Sequence, residues 1–287
     1  MRALALIAAV GCGDGGRTVI DAAPDAPALE PYQQRIVAVL GGTEPIAPNL
    51  YLDHRANEIE RMHARRFITD ELAALGYAAT PHAYATGANV VARLEPTAGD
   101  GPLIVVGAHF DSVPAGPGAA DNATGVAIVL AAARHLANVP DRTHPIAFVL
   151  FDEEELGLLG SRAYARALAD AGTSIAGAHV FDMLSFDGDG DRAVELWSPS
   201  APLLALYQEH GARVGTPISA VEFDRSDHTA FHEQGFPAVG VGEEFVGGDH
   251  TPHYHKATDT VDRISFAHLA TVTELALSVL EASATTP

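Results

Sequence analysis

Short, mostly apolar runs alternate along this chain with longer stretches of helical periodicity. Leu103-Ile104-Val105-Val106, Ile146 to Phe151 and Ala178 to Phe181 are too short for helices and show no polar alternation. Such runs read as strands buried on both faces of a parallel sheet. Asn89 to Leu94, Ala193 to Trp197 and Pro237 to Val241 predict further strands. Between them, Asp53 to Leu75 predicts a helix with Ile59, Met62, Phe67, Leu72 and Leu75 near helical spacing and Gly76 ending it. Asn122 to Leu136, Glu155 to Ala169 and Pro202 to Val214 predict three more helices, the first stopped by Pro140. Ser265 is placed to cap a final helix whose Phe266, Leu269, Val272, Leu275 and Val279 form one apolar stripe. The alternation predicts one α/β domain over residues 31–285, with a mixed, mostly parallel central sheet and helices on both faces.

Composition narrows the picture. An apolar share of 47% is enough for one sizeable core, and a net charge of -20 disfavours nucleic acid and anionic membranes as partners. The single cysteine, Cys12, excludes an intramolecular disulfide and a cysteine metal cluster. Arg2, a short apolar core and small residues before Cys12 resemble an export signal with a lipobox-like end, over residues 1–12. A lipid on Cys12 would then be the sole membrane attachment, and residues 13–30 a solvated tether. An ordinary cleaved signal is the alternative. Either way the expected location is the bacterial cell envelope or the exterior, and a monomer is the expected state.

The chemistry gathers at strand ends. Val106 leads into His109 and Asp111; a glycine-rich loop delivers Asp121; Phe151 leads into Asp152-Glu153-Glu154-Glu155; and Phe181 leads into Asp182. In open α/β sheets the ligand crevice lies beyond the carboxyl ends of the strands, so one rim would collect His109, Asp121, Glu154, Glu155 and Asp182. Histidine and carboxylate donors without cysteine suit zinc, and Asp111 is placed to accept the second N–H of His109. Each cluster has a plainer reading on its own. His109-x-Asp111 could be a surface loop, Asp121 a helix cap, and the four acids an exposed helix start. Asp187-Gly188-Asp189-Gly190-Asp191 invites comparison with a calcium loop, but it lacks the glycine and distal glutamate of an EF-hand and reads as a polar turn.

Taken in order, GAHFDS, AADNATG, DEEELGLLGS, FDM and PHYHKATDT resemble the motifs of the zinc-dependent aminopeptidases of the bacterial secreted leucyl aminopeptidase and aminopeptidase S type. The resemblance implies two zinc ions: His109 and Asp182 on one, Glu155 and His255 on the other, with Asp121 bridging. It implies Glu154 as general base to a water shared by the two ions, and gives Glu153 no role. Substrates would be peptides with a free N-terminus. Spacing alone does not choose His255 over His250 or His253; the resemblance of Thr258-Asp259-Thr260 to the family tail does. Ser226-Asp227-His228 matches a further family segment and reads as support for the pocket. Phe223 stands where some members carry a tyrosine, which leaves oxyanion stabilisation to the metals or to another donor. The alternatives are a glutaminyl cyclase using one zinc, a carboxypeptidase, or an inactive binding module of the same fold.

Overall fold

The protein is described here by a computed structural model covering residues 28–286. Its strands are β1 (Thr80–Ala83), β2 (Ala88–Leu94), β3 (Leu103–His109), β4 (Ile146–Phe151), β5 (Ile175–Phe181), β6 (Val194–Trp197), β7 (Ile218–Val221) and β8 (Ala238–Gly242). They form one sheet in the order β1-β2-β4-β3-β5-β8-β6-β7. β4, β3, β5 and β8 run parallel at its centre, while β2 and β6 pair antiparallel on either flank. The helices are α1 (Leu29–Leu40), α2 (Glu58–Ala74), α3 (Thr124–Leu136), α4 (Leu159–Asp170), α5 (Ala201–Val214), α6 (His228–His232) and α7 (Phe266–Thr285).

Both faces of the sheet are covered. Ile104 and Val106 of β3 and Phe148 of β4 pack with Ile36, Ile68, Val126 and Val272 from α1, α2, α3 and α7. Their alternate neighbours Leu103, Val105 and Val149 face Tyr164 and Leu168 of α4 and Phe231 of α6. Successive strand side chains point to opposite faces, so a strand covered on both sides must be apolar throughout. Among the described residues no helix is long and apolar enough to cross a membrane. The signal and lipobox-like segment, with Cys12, lies outside the described residues.

Several expected boundaries shift, each for a physical reason. The helix expected from Asp53 starts at Glu58, where Asn57 caps it by accepting the Glu60 N–H. Its apolar stripe is also phased differently: Ile59 and Met62 are exposed, while Arg61, Ala64, Ile68 and Leu72 are buried. Arg61 turns inward because Asp152 and Glu153 lie there to pair with it. The helix expected from Glu155 starts at Leu159, since Gly157 and Leu158 have positive φ and break the turn. The helix expected from Asn122 starts at Thr124, after an irregular turn over Ala119–Ala123. Ser265 caps α7 as expected, accepting the His268 N–H. The edge strands β1 and β7, four residues each, and the five-residue α6 are too short to show a clear period; β1 is mostly exposed and begins Thr80-Pro81. α1 begins at Leu29, just before the expected domain start.

Inside β5, His179 is almost fully buried, with Nδ1 3.2 Å from the Tyr207 hydroxyl. Burial lowers its pKa to about 4. The unfolded chain takes up this proton near pH ~6.5 but the folded chain resists until about pH 4. The stability it confers is therefore complete above the unfolded value and lost as pH falls through that window, on the order of 3 kcal/mol in all. His179→Gln is expected to flatten this part of the acid limb. Chemical denaturation from neutral pH to about pH 4 checks it; parallel curves for parent and variant would contradict it.

Candidate metal centre

Because β3, β4 and β5 are parallel neighbours, their carboxyl ends open on one rim. His109 ends β3, Asp152 to Glu155 follow β4, and Asp182 follows β5. The structure brings the sequence candidates together there as two groups sharing one member: His109, Asp121 and Asp182, and Asp121, Glu155 and His255. Asp121 faces both ways. Its Oδ1 lies 3.2 Å from His109 Nε2 and its Oδ2 lies 3.3 Å from His255 Nε2. Asp182 Oδ1 is 3.4 Å from His109 Nε2, and Glu155 Oε2 is 3.0 Å from His255 Nε2. Of the other histidines in the last loop, His253 is turned to Thr258 and His250 lies against Phe245.

Backbone and buried polar groups hold these side chains in place. Asp111 accepts the N–H groups of Glu154 and Glu155, each at 3.1 Å, and its Oδ1 lies 3.3 Å from His109 Nδ1. One carboxylate thus ties the end of β3 to the acidic turn after β4 and orients the imidazole. Asp121 caps no helix; it has non-helical backbone angles in the turn before α3. Asp259 accepts the N–H groups of Ala120 and Asp121 at 2.8 and 3.1 Å, joining the His255 loop to that turn. Arg55 is fully buried and donates to the carbonyls of Leu40, Phe110, Pro117 and Gly118, gripping both ends of the loop between His109 and Asp121. Ser226 donates to Asp182 Oδ2 at 2.7 Å. The four-acid run divides in two: Asp152 and Glu153 pair with Arg61 and Arg65, leaving Glu154 and Glu155 for the rim.

The electrostatics follow from burial against charge. Burial alone would keep His109 neutral; Glu154 and Asp182, with hydrogen bonds to Asp111 and Asp121, outweigh it and hold its pKa well above the ordinary value. Hydrogen bonds to Asp121 and Glu155 lift His255 to about 10. Burial works to raise Asp121, yet its bonds to the two histidines hold it below the usual carboxylate range. Glu154 is pushed far upward by desolvation and by Asp227, Asp182 and Glu155, with His109 opposing. Burial and then Asp121 raise Glu155. Glu155 Oε1 and Asp182 Oδ1 are buried without a hydrogen-bond partner. Oxygen and imidazole donors with unmet buried lone pairs fit a zinc-type divalent cation, whereas a hydrogen-bonded network would have satisfied them.

Around the donors lies a small cavity with Met183, Trp197, Phe223, Phe245, Tyr254 and Arg225 in its walls. Tyr254 stacks on His255 at 3.8 Å between ring centroids. Among the described residues its hydroxyl has no hydrogen bond, so a phenol donor is available although Phe223 replaces the expected tyrosine. Sequence reasoning missed Tyr254, Arg55 and Arg225. Tyr254 lies inside the PHYHKATDT motif and could have been found there; Arg55 lay at the start of a stretch read as an amphipathic helix, where an arginine gives no signal of burial. The Asp187–Asp191 loop folds as a polar turn, with the carboxylates of Asp187, Asp189 and Asp191 accepting the loop's own amides.

Residues 89–280 match Peptidase family M28, and the chain belongs to that family. The probable lipoprotein aminopeptidase LpqL of Mycobacterium tuberculosis is 34% identical over 207 residues, covering 61% of this chain and 41% of that protein. The chain thus spans about two-fifths of the length of this curated relative. The structure of BSAP, a zinc aminopeptidase from Bacillus subtilis, is similar with a TM-score of 0.62 and 27% identity, over 68% of this chain and 49% of that one. The Porphyromonas gingivalis glutaminyl cyclase is similar with a TM-score of 0.68 and 21% identity, over 88% of this chain and 96% of that one. At that identity the likeness to the cyclase shows the fold alone and does not choose between activities.

Proposed function

We propose that this protein is a metal-dependent aminopeptidase that removes N-terminal residues from peptides, with His109, Asp121 and Asp182 holding one zinc ion and Asp121, Glu155 and His255 a second. The observation that carries the reading is Asp121, whose two oxygens each face a different histidine and carboxylate. A single-metal cyclase needs no such shared carboxylate, and an inactive module has no use for a complete donor set. Zinc bound there would supply Lewis acidity toward the scissile carbonyl and would lower the pKa of water. The names of the relatives, an aminopeptidase and a zinc aminopeptidase, support the same reading.

The protein's own groups then have defined tasks. Glu154 lines the cavity, is not a member of either donor group, and sits where burial and neighbouring acids make a captured proton stable. It takes the proton of the attacking water and returns it to the departing amine. The Tyr254 hydroxyl is available to donate to the carbonyl oxygen as charge grows there. A rim rich in carboxylates attracts a free α-ammonium group and gives a blocked terminus nothing comparable. Because His109 and His255 hold protons tightly in carboxylate company, cation uptake displaces protons. Export through residues 1–12, with lipid attachment at Cys12, belongs to the same proposal, and the relative named a lipoprotein supports it.

A panel of aminoacyl chromogenic substrates, with and without a chelator and with N-acetylated controls, tests this function. Hydrolysis of the free-amine substrates is expected, abolished by chelation and restored by zinc. The acetylated forms are expected to react at least about 100-fold more slowly, the loss that follows when a buried polar recognition is left unmet. Cleavage indifferent to chelation or to acetylation would overturn it.

A further inference from the structure

We infer that Arg225 anchors a carboxylate of the substrate near the scissile bond, making the enzyme selective for peptides that place one there. The inference rests on the aminopeptidase reading above and adds a substrate class to it. Arg225 is the one arginine or lysine among the described residues lining the cavity that also holds His109, Glu154 and His255. It is exposed, yet its guanidinium is positioned by aromatic faces, with Cζ 5.2 Å from the Phe223 ring centroid and 5.6 Å from that of Phe245. Contact with two ring faces restrains the guanidinium by cation–π attraction and uses none of its N–H donors. Among the described residues no carboxylate pairs with it, not even its sequence neighbours Glu222 and Asp224.

Most of the described arginines face a carboxylate. The chain carries 37 acidic residues against 17 basic ones, and Arg35, Arg61, Arg65, Arg162 and Arg213 all have carboxylate partners. Lys256, on the neighbouring loop, is turned to the Pro252 carbonyl. A planar donor fork held open beside a cleft matches the geometry of a carboxylate, which it binds through two parallel hydrogen bonds. Two parts of a peptide can present that group within reach: the terminal carboxylate of a dipeptide, and an acidic side chain on either residue flanking the bond. Neutral peptide amides present neither.

The test compares kcat/KM on matched pairs with the zinc-loaded protein, for the parent, Arg225→Met and Arg225→Lys. The pairs are Leu-Ala against Leu-Ala amide, Glu-Ala amide against Gln-Ala amide, and Leu-Glu amide against Leu-Gln amide. In the parent the acid form of at least one pair is expected to be favoured about 10-fold, mostly through KM, as a charge-assisted hydrogen bond provides. That ratio is expected to shrink with added salt, to fall to near one in Arg225→Met and to be partly kept in Arg225→Lys. The pair that responds identifies which carboxylate is read. Ratios near one for all three pairs in the parent, or an acid preference that survives in Arg225→Met, would overturn the anchor while leaving Leu-Ala amide hydrolysis as the separate measure of peptidase activity. No hydrolysis of any peptide would remove the aminopeptidase reading and this inference with it.

Discussion

Glu154→Gln is expected to give a folded protein that loads zinc like the parent and turns over about 10²–10⁴-fold more slowly. Glutamine keeps the size of the side chain but cannot take a proton. Folding is expected to survive because what fixes this turn is backbone: Asp111 accepts the Glu154 and Glu155 N–H groups, which a side-chain change does not touch. Zinc loading is expected to survive because Glu154 lies outside both donor groups. The loss is expected in kcat more than in KM, as befits a group acting on a proton in flight. Metal content by elemental analysis, alongside steady-state kinetics, checks the claim. Parent-like turnover would remove Glu154 from the base role, and loss of metal would make it a ligand instead.

Asp121→Asn is expected to have the second largest effect, through the metal rather than the proton. Only a carboxylate offers equivalent oxygens to His109 and His255 at 3.2 and 3.3 Å, and an amide has one oxygen to give. The variant is expected to retain at most one zinc per chain after dialysis and to lose activity by more than the about 10–100-fold that loss of an outer-shell partner costs. Asp259 would still hold the turn through the backbone of Ala120 and Asp121, so the loss would not come from unfolding. Full zinc occupancy with parent turnover would show that Asp121 does not bridge. Circular dichroism and melting temperature accompany both variants.

The central strands were legible because covering both faces of a sheet demands apolar residues at every position, a requirement visible in Leu103 to Val106 and Ile146 to Phe151. Edge strands face no such demand, which is why Thr80–Ala83 and Ile218–Val221 left little trace. The buried face of α2 was misread for a different reason. Ile59 and Met62 advertised an apolar face that the fold leaves in solvent, while Arg61 went inward to meet Asp152 and Glu153, partners 91 and 92 positions away (152 − 61 and 153 − 61). Periodicity counts residues as apolar or polar and is blind to an ion pair of that range.

The order of strands and acids along the chain determined the fold class and put His109, Glu154, Glu155 and Asp182 just at or after strand ends, with Asp121 on the loop after β3, because parallel strands must all finish on one side. It also carried the family, since the motifs are contiguous. What only the tertiary structure decided is the use of each group. Folding faces the two oxygens of Asp121 toward different histidines, turns His253 aside to Thr258, and spends Asp152 and Glu153 on arginines of α2. It also buries Arg55 behind the loop and leaves Arg225 stacked and unpaired at the cavity wall. A hydrogen bond or an ion pair depends on distances of a few ångströms between residues far apart in sequence, and those distances exist only once the chain has closed on itself.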